Sequence, residues 1–305
     1  MSRFIISILT VLMPLQILGQ MFPLSDHYVY DALPVNPAFA GCHDALSATI
    51  IYRNQWVGFK DAPKNQLISF HTPVHNDRIG LGLLIENNSI GIFKETSFIG
   101  NYAYRMDLRD GKLALGLGFG LTVRNSDWNE LVATDPYDEQ LMNNAEISVL
   151  PAFSFGTYYY TKKYFIGISL PLFLIHELDK STGKYKISNR FSEYNYFVSG
   201  GYNWIISPHL KLLPSFLLKY HPGNAVQIDY CAQVSLNDKI WMGAAYRSRN
   251  TIIGLLQYQL TYQLRMAYSY AFEAGGIGKY TNGSHEIVLN YIFRYKRNVM
   301  GPRHF

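Results

Sequence analysis

Residues that could do chemistry are few in this 305-residue chain. His71 and His75 have a spacing that could hold a metal, but Pro73 lies between them and no Cys or carboxylate cluster accompanies them. The glycine run at 116–120 has neither the spacing nor the following helix of a nucleotide-binding turn. No G-x-S-x-G nucleophile motif occurs either. We therefore expect no enzymatic activity, no metal and no cofactor.

A second group of reactive side chains lies in the segment 125–145, which is rich in carboxylates: Asp127, Glu130, Asp135, Asp138 and Glu139. Carboxylates can bind calcium, but the regular ligand spacing of an EF-hand loop is absent. The segment is therefore interpreted as an acidic, solvated loop.

The first twenty residues predict a secretory signal peptide. Arg3 precedes an apolar stretch at 4–18, and the small residue Gly19 marks a cleavage site after Gly19 or Gln20. No later segment approaches the roughly 18 consecutive apolar residues of a membrane helix. The mature chain is therefore expected to leave the cytoplasm. Cys42 and Cys231 could pair there or remain free thiols.

The composition is that of a chain with little charged surface. Hydrophobic residues make up 48% and charged residues only 16%, against about 25% charged residues in average domains. The net charge of +5 is modest and no block of Lys or Arg indicates a nucleic-acid partner. A β-barrel in lipid needs such an apolar exterior, and strand alternation hides it from a search for membrane helices.

Alternation with a period of two is the dominant pattern of the chain. In the stretch after Gly111, one set of alternate residues is wholly apolar, whereas the complementary set is small in the middle and polar or charged near both ends. The apolar set comprises Leu113, Leu115, Leu117, Phe119, Leu121 and Val123. Successive side chains of a strand point to opposite faces, so this pattern predicts one face in lipid and one in a barrel interior.

The same alternation predicts fourteen antiparallel strands, at 44–57, 65–73, 77–87, 92–107, 111–124, 146–160, 163–174, 192–206, 209–220, 225–236, 239–248, 250–260, 262–272 and 284–295. Short and long connections largely alternate, as in outer-membrane barrels with short periplasmic turns. We therefore predict an all-β fold, a transmembrane outer-membrane β-barrel spanning 44–295. The signal peptide occupies 1–20, a periplasmic or lumenal N-terminal segment 21–43, and a basic tail 296–305.

Charged residues are predicted to face the interior of this barrel: Arg53, Arg78, Arg105, Lys112, Arg124, Arg247 and Arg265 with Glu86, Glu95, Asp107, Asp229 and Glu273. Their charges nearly balance. This favours a lumen stabilised by ion pairs over a charge-selective pore.

Two conspicuous segments lie around the first strand. The first is Asn36-Pro37-Ala38-Phe39-Ala40-Gly41, and the second is Tyr52-Arg53-Asn54-Gln55-Trp56 with the following Val57-Gly58-Phe59 and Ala62-Pro63-Lys64. Together they resemble the PorP/SprF family, outer-membrane proteins of the type IX secretion system. Later pieces, such as Tyr102-Ala-Tyr104-Arg105, fit the same family, and the resemblance covers essentially the whole mature chain. Cys42 and Asp61 depart from it, where a small polar residue and Gly are expected.

The resemblance implies a non-enzymatic role in protein export, in the outer membrane after signal-peptide cleavage. The implied partners are the surrounding lipids, the periplasmic ring and lipoprotein components of the secretion apparatus, or the C-terminal signal domain of a secreted adhesin used in gliding. A barrel of about fourteen strands is too narrow to pass a folded protein, so an adaptor, anchor or cargo receptor is expected rather than the conduit. The alternatives are a general porin and a barrel-embedded hydrolase. The segment 36–41 is expected to close the barrel floor or to dock a partner.

Overall fold

The computed structural model describes residues 25–74, 77–126, 147–173, 175–178, 185–188, 190–222, 226–248 and 250–293. The predicted signal peptide at 1–20, the basic tail at 296–305, His75 and the five carboxylates of the acidic loop lie outside the described residues. Within the described part, no helix has the length and apolar character needed to cross a membrane.

The described strands are β1 (Leu46–Asn54), β2 (Lys64–Val74), β3 (Ile79–Ile90), β4 (Phe93–Leu108), β5 (Gly111–Ser126), β6 (Ser148–Tyr160), β7 (Tyr164–Phe173), β8 (Ile175–Leu178), β9 (Tyr185–Ser188), β10 (Tyr196–Tyr202), β11 (Trp204–Ser207), β12 (Leu210–Tyr220), β13 (Gln227–Leu236), β14 (Ile240–Arg247), β15 (Thr251–Gln259), β16 (Leu264–Glu273) and β17 (Ser284–Phe293). Short 3-10 turns lie at Pro37–Phe39, Phe191–Glu193 and Gly276–Tyr280.

These strands close into one antiparallel barrel. Each barrel strand pairs with its neighbours in the sheet, β1 pairs with β17, and β10 pairs with both β7 and β12. The fourteen predicted strands are confirmed, with β10 and β11 together forming the eighth, interrupted at Asn203. The long connection after β7 also holds a separate two-stranded hairpin, β8–β9, which the sequence did not predict.

The predicted inside and outside faces are confirmed by the exposure of the side chains. On β5, Phe119 is 62% exposed while its neighbours Gly118 and Gly120 are buried. The same two-residue period runs along β13, β16 and β17. Because the outward positions carry Leu, Ile, Phe and Tyr, the exterior of the barrel is an apolar surface suited to lipid.

The two ends of the barrel differ in the length of their connections. At one end, which we call the short-turn end, the connections between barrel strands hold two to four residues. The other end, the long-loop end, carries the connections at 55–63, 127–147, 174–195, 221–226 and 274–283, with two shorter ones at 91–92 and 248–250. The chain enters β1 and leaves β17 at the short-turn end. This matches the predicted alternation of short and long connections.

The interior of the barrel is filled by residues 25–43, which we call the plug. Every plug residue is buried except Pro34, which is half-buried. Its apolar side chains form one core cluster with inward residues of β4 to β7, β10 and β12. Of the two positions left open by the sequence, periplasmic or lumenal, the structure shows the lumenal one for these residues.

Candidate functional site

The plug crosses the lumen from the long-loop half of the barrel to the short-turn end. Its first residues contact Glu286, close to the start of β17 at the long-loop end. Its last residues contact His71 and Arg105, near the ends of β2 and β4 at the short-turn end. The plug therefore touches strands from nearly the whole circumference of the barrel.

Asp26 is the central anchor of the plug. Its carboxylate lies 2.7 Å from Nη1 of Arg53 and 2.9 Å from Nη2 of Arg247. It also accepts a hydrogen bond of 2.9 Å from the hydroxyl of Ser269. These three partners lie on β1, β14 and β16. One buried carboxylate therefore links the plug to strands on both sides of the β1–β17 pair, which closes the barrel.

Glu286 forms the second anchor. It accepts hydrogen bonds from the hydroxyl of Ser25 at 2.7 Å and from the backbone N–H of Asp26 at 3.1 Å. His27 Nδ1 lies 2.9 Å from the same carboxylate, and Arg53 Nη1 lies 3.2 Å from its other oxygen. Arg53 and Glu286 are direct partners in the pairing of β1 with β17. The strand pair that closes the barrel thus also holds the plug.

A third carboxylate, Asp229, balances the remaining positive charge. Arg247 Nε lies 3.0 Å from Asp229 Oδ1, and Lys219 Nζ lies 3.5 Å from Oδ2. Together the cluster contains three carboxylates and three basic side chains; we call these six residues the clamp: Asp26, Asp229, Glu286, Arg53, Lys219 and Arg247. Buried charges are tolerated when they are paired. The positive and negative charges of the clamp therefore balance only when the plug contributes the carboxylate of Asp26.

The clamp changes the acidity of the plug carboxylate. Burial alone would raise the pKa of Asp26, but the positive charges of Arg53 and Arg247 outweigh it. The pKa of Asp26 is therefore held well below its usual range. Asp26 therefore stays ionised throughout the physiological pH range, and its ion pairs with Arg53 and Arg247 do not titrate there.

The middle of the plug is held by Tyr30 and Asp31. The hydroxyl of Tyr30 donates a hydrogen bond of 2.6 Å to Oδ1 of Asn290, and the guanidinium of Arg265 lies 4.3 Å from the centre of the Tyr30 ring. The carboxylate of Asp31 accepts hydrogen bonds from the hydroxyl of Ser69 and from the backbone of Leu33. The hydroxyl of Tyr30 and the carboxylate of Asp31 thus meet partners on the barrel wall or in the plug itself.

The predicted motif at 36–41 forms a tight turn in the part of the plug that lies nearest the short-turn end, which we call the lower end of the plug. Asn36 precedes the 3-10 turn, and its Oδ1 accepts a hydrogen bond of 2.9 Å from the backbone of Ala38. Its Nδ2 donates to the carbonyl of Thr157 on β6 at 2.9 Å. Pro37 fixes the first residue of the turn, where a backbone N–H is not needed. Asn36 therefore caps the turn and ties it to the wall with one side chain.

Glycines on the wall make room for this turn. A Cβ added to Gly116 would lie 2.1 Å from the backbone nitrogen of Ala38, and one added to Gly80 would lie 1.9 Å from the carbonyl oxygen of Ala40. Real side-chain carbons do not approach backbone atoms so closely. These inward-facing glycines thus form the surface of the wall against which the plug packs.

Gly41 ends the turn with a φ of +74°, a conformation that favours glycine. Its carbonyl accepts a hydrogen bond from Arg105, and its N–H donates to Nδ1 of His71 at 3.2 Å. His71 lies on β2, faces the lumen and is buried, so the structure places it against the plug backbone.

The residues of the second predicted motif, at 52–56, lie in three different environments. Tyr52 points outward and is 42% exposed, whereas Arg53 points into the clamp. Asn54 ends β1. Gln55 and Trp56 begin the loop after it, where the backbone of Gln55 donates to Pro63 at 2.9 Å and that of Trp56 donates to the hydroxyl of Ser284 at 3.1 Å. Arg53 is thus the motif residue that forms an ion pair with the plug, through Asp26.

The other predicted interior charges have mixed outcomes. Arg124 pairs with Glu95, and Glu86 and Glu273 accept hydrogen bonds from Asn65 at 2.7 Å and Thr251 at 2.6 Å. The prediction was wrong for Arg78 and Asp107, which are exposed because they lie at the short-turn end, beyond the enclosed part of the lumen. Lys112, next to the same end, is half-buried.

The sequence did not single out Asp26 or Lys219 as charged partners in the lumen. Neither lies in a pattern that distinguishes it, and only the closed barrel brings them together. Cys42 and Cys231 are both buried, and neither forms a disulfide.

Comparisons with known proteins agree with this architecture. A family model described as "Type IX secretion system membrane protein PorP/SprF" matches residues 18–291. Among curated proteins, none matches the sequence. Two solved structures resemble the fold at a TM-score of 0.51. The outer membrane protein Omp33 of Acinetobacter baumannii is 7% identical, with 83% of this chain and 100% of that chain covered. The toluene transporter TbuX of Ralstonia pickettii is 9% identical, with 85% and 92% covered. At these identities the likeness shows the fold alone.

Proposed function

The chain belongs to the PorP/SprF family of type IX secretion system membrane proteins, and on this premise we propose that it is a non-catalytic adaptor in the outer membrane. In this role it anchors secretion components or receives cargo, and it does not itself conduct the exported chain. The fold and the family both point to the outer membrane.

One observation carries the proposal: the lumen is occupied by the plug. Around the plug, the cavity bounded by Val29, Phe39 and Tyr158 has a volume of about 20 Å³, roughly the space of one water molecule. Even an empty barrel of this strand number is narrower than the 16–18-stranded porins that pass small solutes. An unfolded polypeptide would have to displace the plug and leave the clamp with unpaired buried charges.

The same observation argues against the alternative of a general porin. A porin needs a continuous water path, but the lumenal charges of Arg53, Arg247, Asp229 and Glu286 are instead paired with the plug or with each other. Planar-bilayer conductance separates the two functions, because an adaptor is silent and a porin conducts.

The proposed partners follow from the family and from the two ends of the barrel. With its short turns toward the periplasm, the chain would meet the periplasmic ring and lipoprotein components of the secretion system at the short-turn end. The C-terminal signal domain of a secreted adhesin, including one used in gliding, is the partner expected for a cargo receptor.

Site-directed photo-crosslinking tests the adaptor function. We would attach a benzophenone maleimide to Lys162→Cys at the short-turn end and, as a matched control, to Tyr280→Cys at the long-loop end. Both positions are exposed, and both native thiols are buried. Irradiation of cells should join the Lys162→Cys chain to a periplasmic component or a C-terminal signal domain, identified by mass spectrometry, and Tyr280→Cys should not yield the periplasmic component.

Heat-dependent migration on a denaturing gel would confirm that both variants are folded barrels. A folded barrel that captures neither kind of partner, from a panel of such positions around the short-turn end, would contradict the proposed function.

A further inference from the structure

A row of polar side chains crosses the outer face of the barrel at the long-loop end. Lys64 on β2 pairs with Ser89 on β3, and Ser89 pairs with Lys94 on β4. Neighbouring strands lie about 4.8 Å apart, so the backbones of the two lysines are roughly 10 Å apart. Both side chains are exposed and long enough to reach one ligand between them.

The row of polar side chains borders the apolar band of the barrel exterior on its long-loop side. Lys64 and Ile68 have the same parity on β2, as do Lys94 and Phe98 on β4, and all four therefore face outward. Ile68 pairs with Ile85, and Ile85 with Phe98, in the apolar row four residues below the lysines. Positive charge at the rim thus adjoins a surface suited to acyl chains.

The loop after β1 folds over this row and forms a cleft. The N–H of Gly91 donates to the carbonyl of Asp61 at 2.9 Å, which ties the loop to the β3–β4 turn. On its other side, the N–H of Val57 donates to the carbonyl of Gly283 at 2.8 Å. The cleft has a volume of about 380 Å³, and Lys64, Ser89 and Lys94 line it.

The backbone of the cleft is held in unusual conformations. Trp56 has a φ of +50° and Asp61 a φ of +56°, both in the left-handed region that non-glycine residues rarely adopt. Such conformations persist where the surroundings hold them, and they are concentrated at ligand sites. The Asp61 position, where Gly was expected from the family, is one of them.

The wall of the cleft holds a buried hydrogen-bond donor without a partner in the described part of the chain. The indole N–H of Trp56 is buried and has no hydrogen-bond partner among the described residues. Unpaired buried donors are rare in native structures and call for a ligand or water.

The net positive charge of the cleft indicates an anionic ligand. Neither Lys64 nor Lys94 takes part in the ion pairs of the described residues. Asp61 is the acidic residue of the cleft lining, so the two lysines leave an excess of positive charge. The exposed side chains of Phe59 and Ile90 add apolar surface to the lining.

We propose that this cleft binds the phosphate group of a lipid headgroup in the outer leaflet, with the acyl chains against the apolar row below. Lysine binds phosphate as a point charge, so Lys64 and Lys94 would together hold the anionic group. This site is independent of the adaptor function and requires only that the long-loop end faces the outer leaflet.

Native mass spectrometry of the purified full-length barrel tests the proposal. The probes are bisphosphorylated lipid A, dephosphorylated lipid A and inorganic phosphate. The test variant is Lys64→Gln/Lys94→Gln, and the matched control is Lys162→Gln/Lys163→Gln, which removes two exposed lysines at the short-turn end. A conservative variant, Lys64→Arg/Lys94→Arg, keeps the charge, and heat-dependent gel migration verifies folding of each protein.

We expect bisphosphorylated lipid A to bind the wild-type barrel at least about ten-fold more tightly than it binds the test variant, about 1.4 kcal/mol. The control and the arginine variant should bind like the wild type, and dephosphorylated lipid A should bind weakly to all. Equal binding to the test variant, or equal binding of dephosphorylated lipid A, would overturn the proposal. Displacement of the lipid by an equal concentration of inorganic phosphate would overturn the assignment to a lipid.

Discussion

The carboxylate of Asp26 in the plug lies 2.7 Å from the guanidinium of Arg53 on β1, and both side chains are almost fully buried. Arg53 belongs to the motif that follows the plug in the sequence, so the chain folds back and pairs with its own first strand. Arg53 also pairs with Glu286 across the closure of the barrel. One arginine therefore connects the plug, the first strand and the last strand.

Replacement of Asp26 by Asn should destabilise the barrel by about 3–5 kcal/mol, because it leaves buried positive charge without its partner. The free energy of unfolding in urea, followed by tryptophan fluorescence in detergent, measures this change. The control is Asp238→Asn, whose pairing with Lys211 at 2.7 Å is partly exposed and should contribute less than about 1 kcal/mol. Equal effects of the two substitutions would show that the plug is not held by the clamp.

The contribution of Asp26 should also depend on pH. Its pKa is lowered in the folded protein, because the attraction of Arg53 and Arg247 outweighs the effect of burial. A carboxyl group whose pKa is lowered by folding stabilises the folded state at pH values above its unfolded pKa of about 3.9. This stabilisation is lost as the pH falls toward its pKa in the folded protein. The difference in unfolding free energy between wild type and Asp26→Asn should be constant from pH 8 to 5 and shrink below about pH 4. A difference that grows on acidification would contradict the assignment.

Replacement of Gly116 by Val should dislodge the lower end of the plug, since even a Cβ would lie 2.1 Å from the backbone of Ala38. In a Cys231→Ser background, Cys42 is the remaining thiol and its rate of maleimide labelling reports the exposure of the plug. We expect at least about ten-fold faster labelling in Gly116→Val, which corresponds to about 1.4 kcal/mol of lost protection. Gly254→Val is the matched control, because a Cβ at Gly254 meets open space. Labelling at the same rate in both variants would count against the packing of the plug.

The two cysteines should form no disulfide in the native protein. Cys42 lies in the plug and Cys231 on β13, and both are buried as thiols. Thiol titration of protein purified without reductant should find no fast-reacting group in the folded barrel and two groups after denaturation. A result of no thiols after denaturation would reveal a disulfide and require a different position of the plug.

The barrel could be predicted because each strand carries its own local evidence. Leu117 and Gly118 differ in size because one meets lipid and the other the lumen, and this difference recurs every two residues. The ends of β1 were less predictable. The motif continues into the loop at Gln55, where Trp56 takes a left-handed conformation that no periodic pattern marks.

The plug could not be derived in the same way. Its residues have no period of two or of 3.6, and its charged partners lie far along the chain, as Arg247 and Glu286 do from Asp26. The inward glycines gave a partial signal, because small residues facing a lumen leave space for something. Only the closed sheet shows that Ala38 and Ala40 occupy this space.

Single-channel recording in planar bilayers tests the central claim, that the chain seals its own barrel, most directly. The full-length wild type should show no steps above the lipid background. A variant lacking residues 25–41, and the Gly116→Val variant as a second way to displace the plug, should conduct once heat-dependent gel migration has shown that they are folded. Conductance of the wild type equal to that of the folded variants would contradict a sealed lumen and favour a porin.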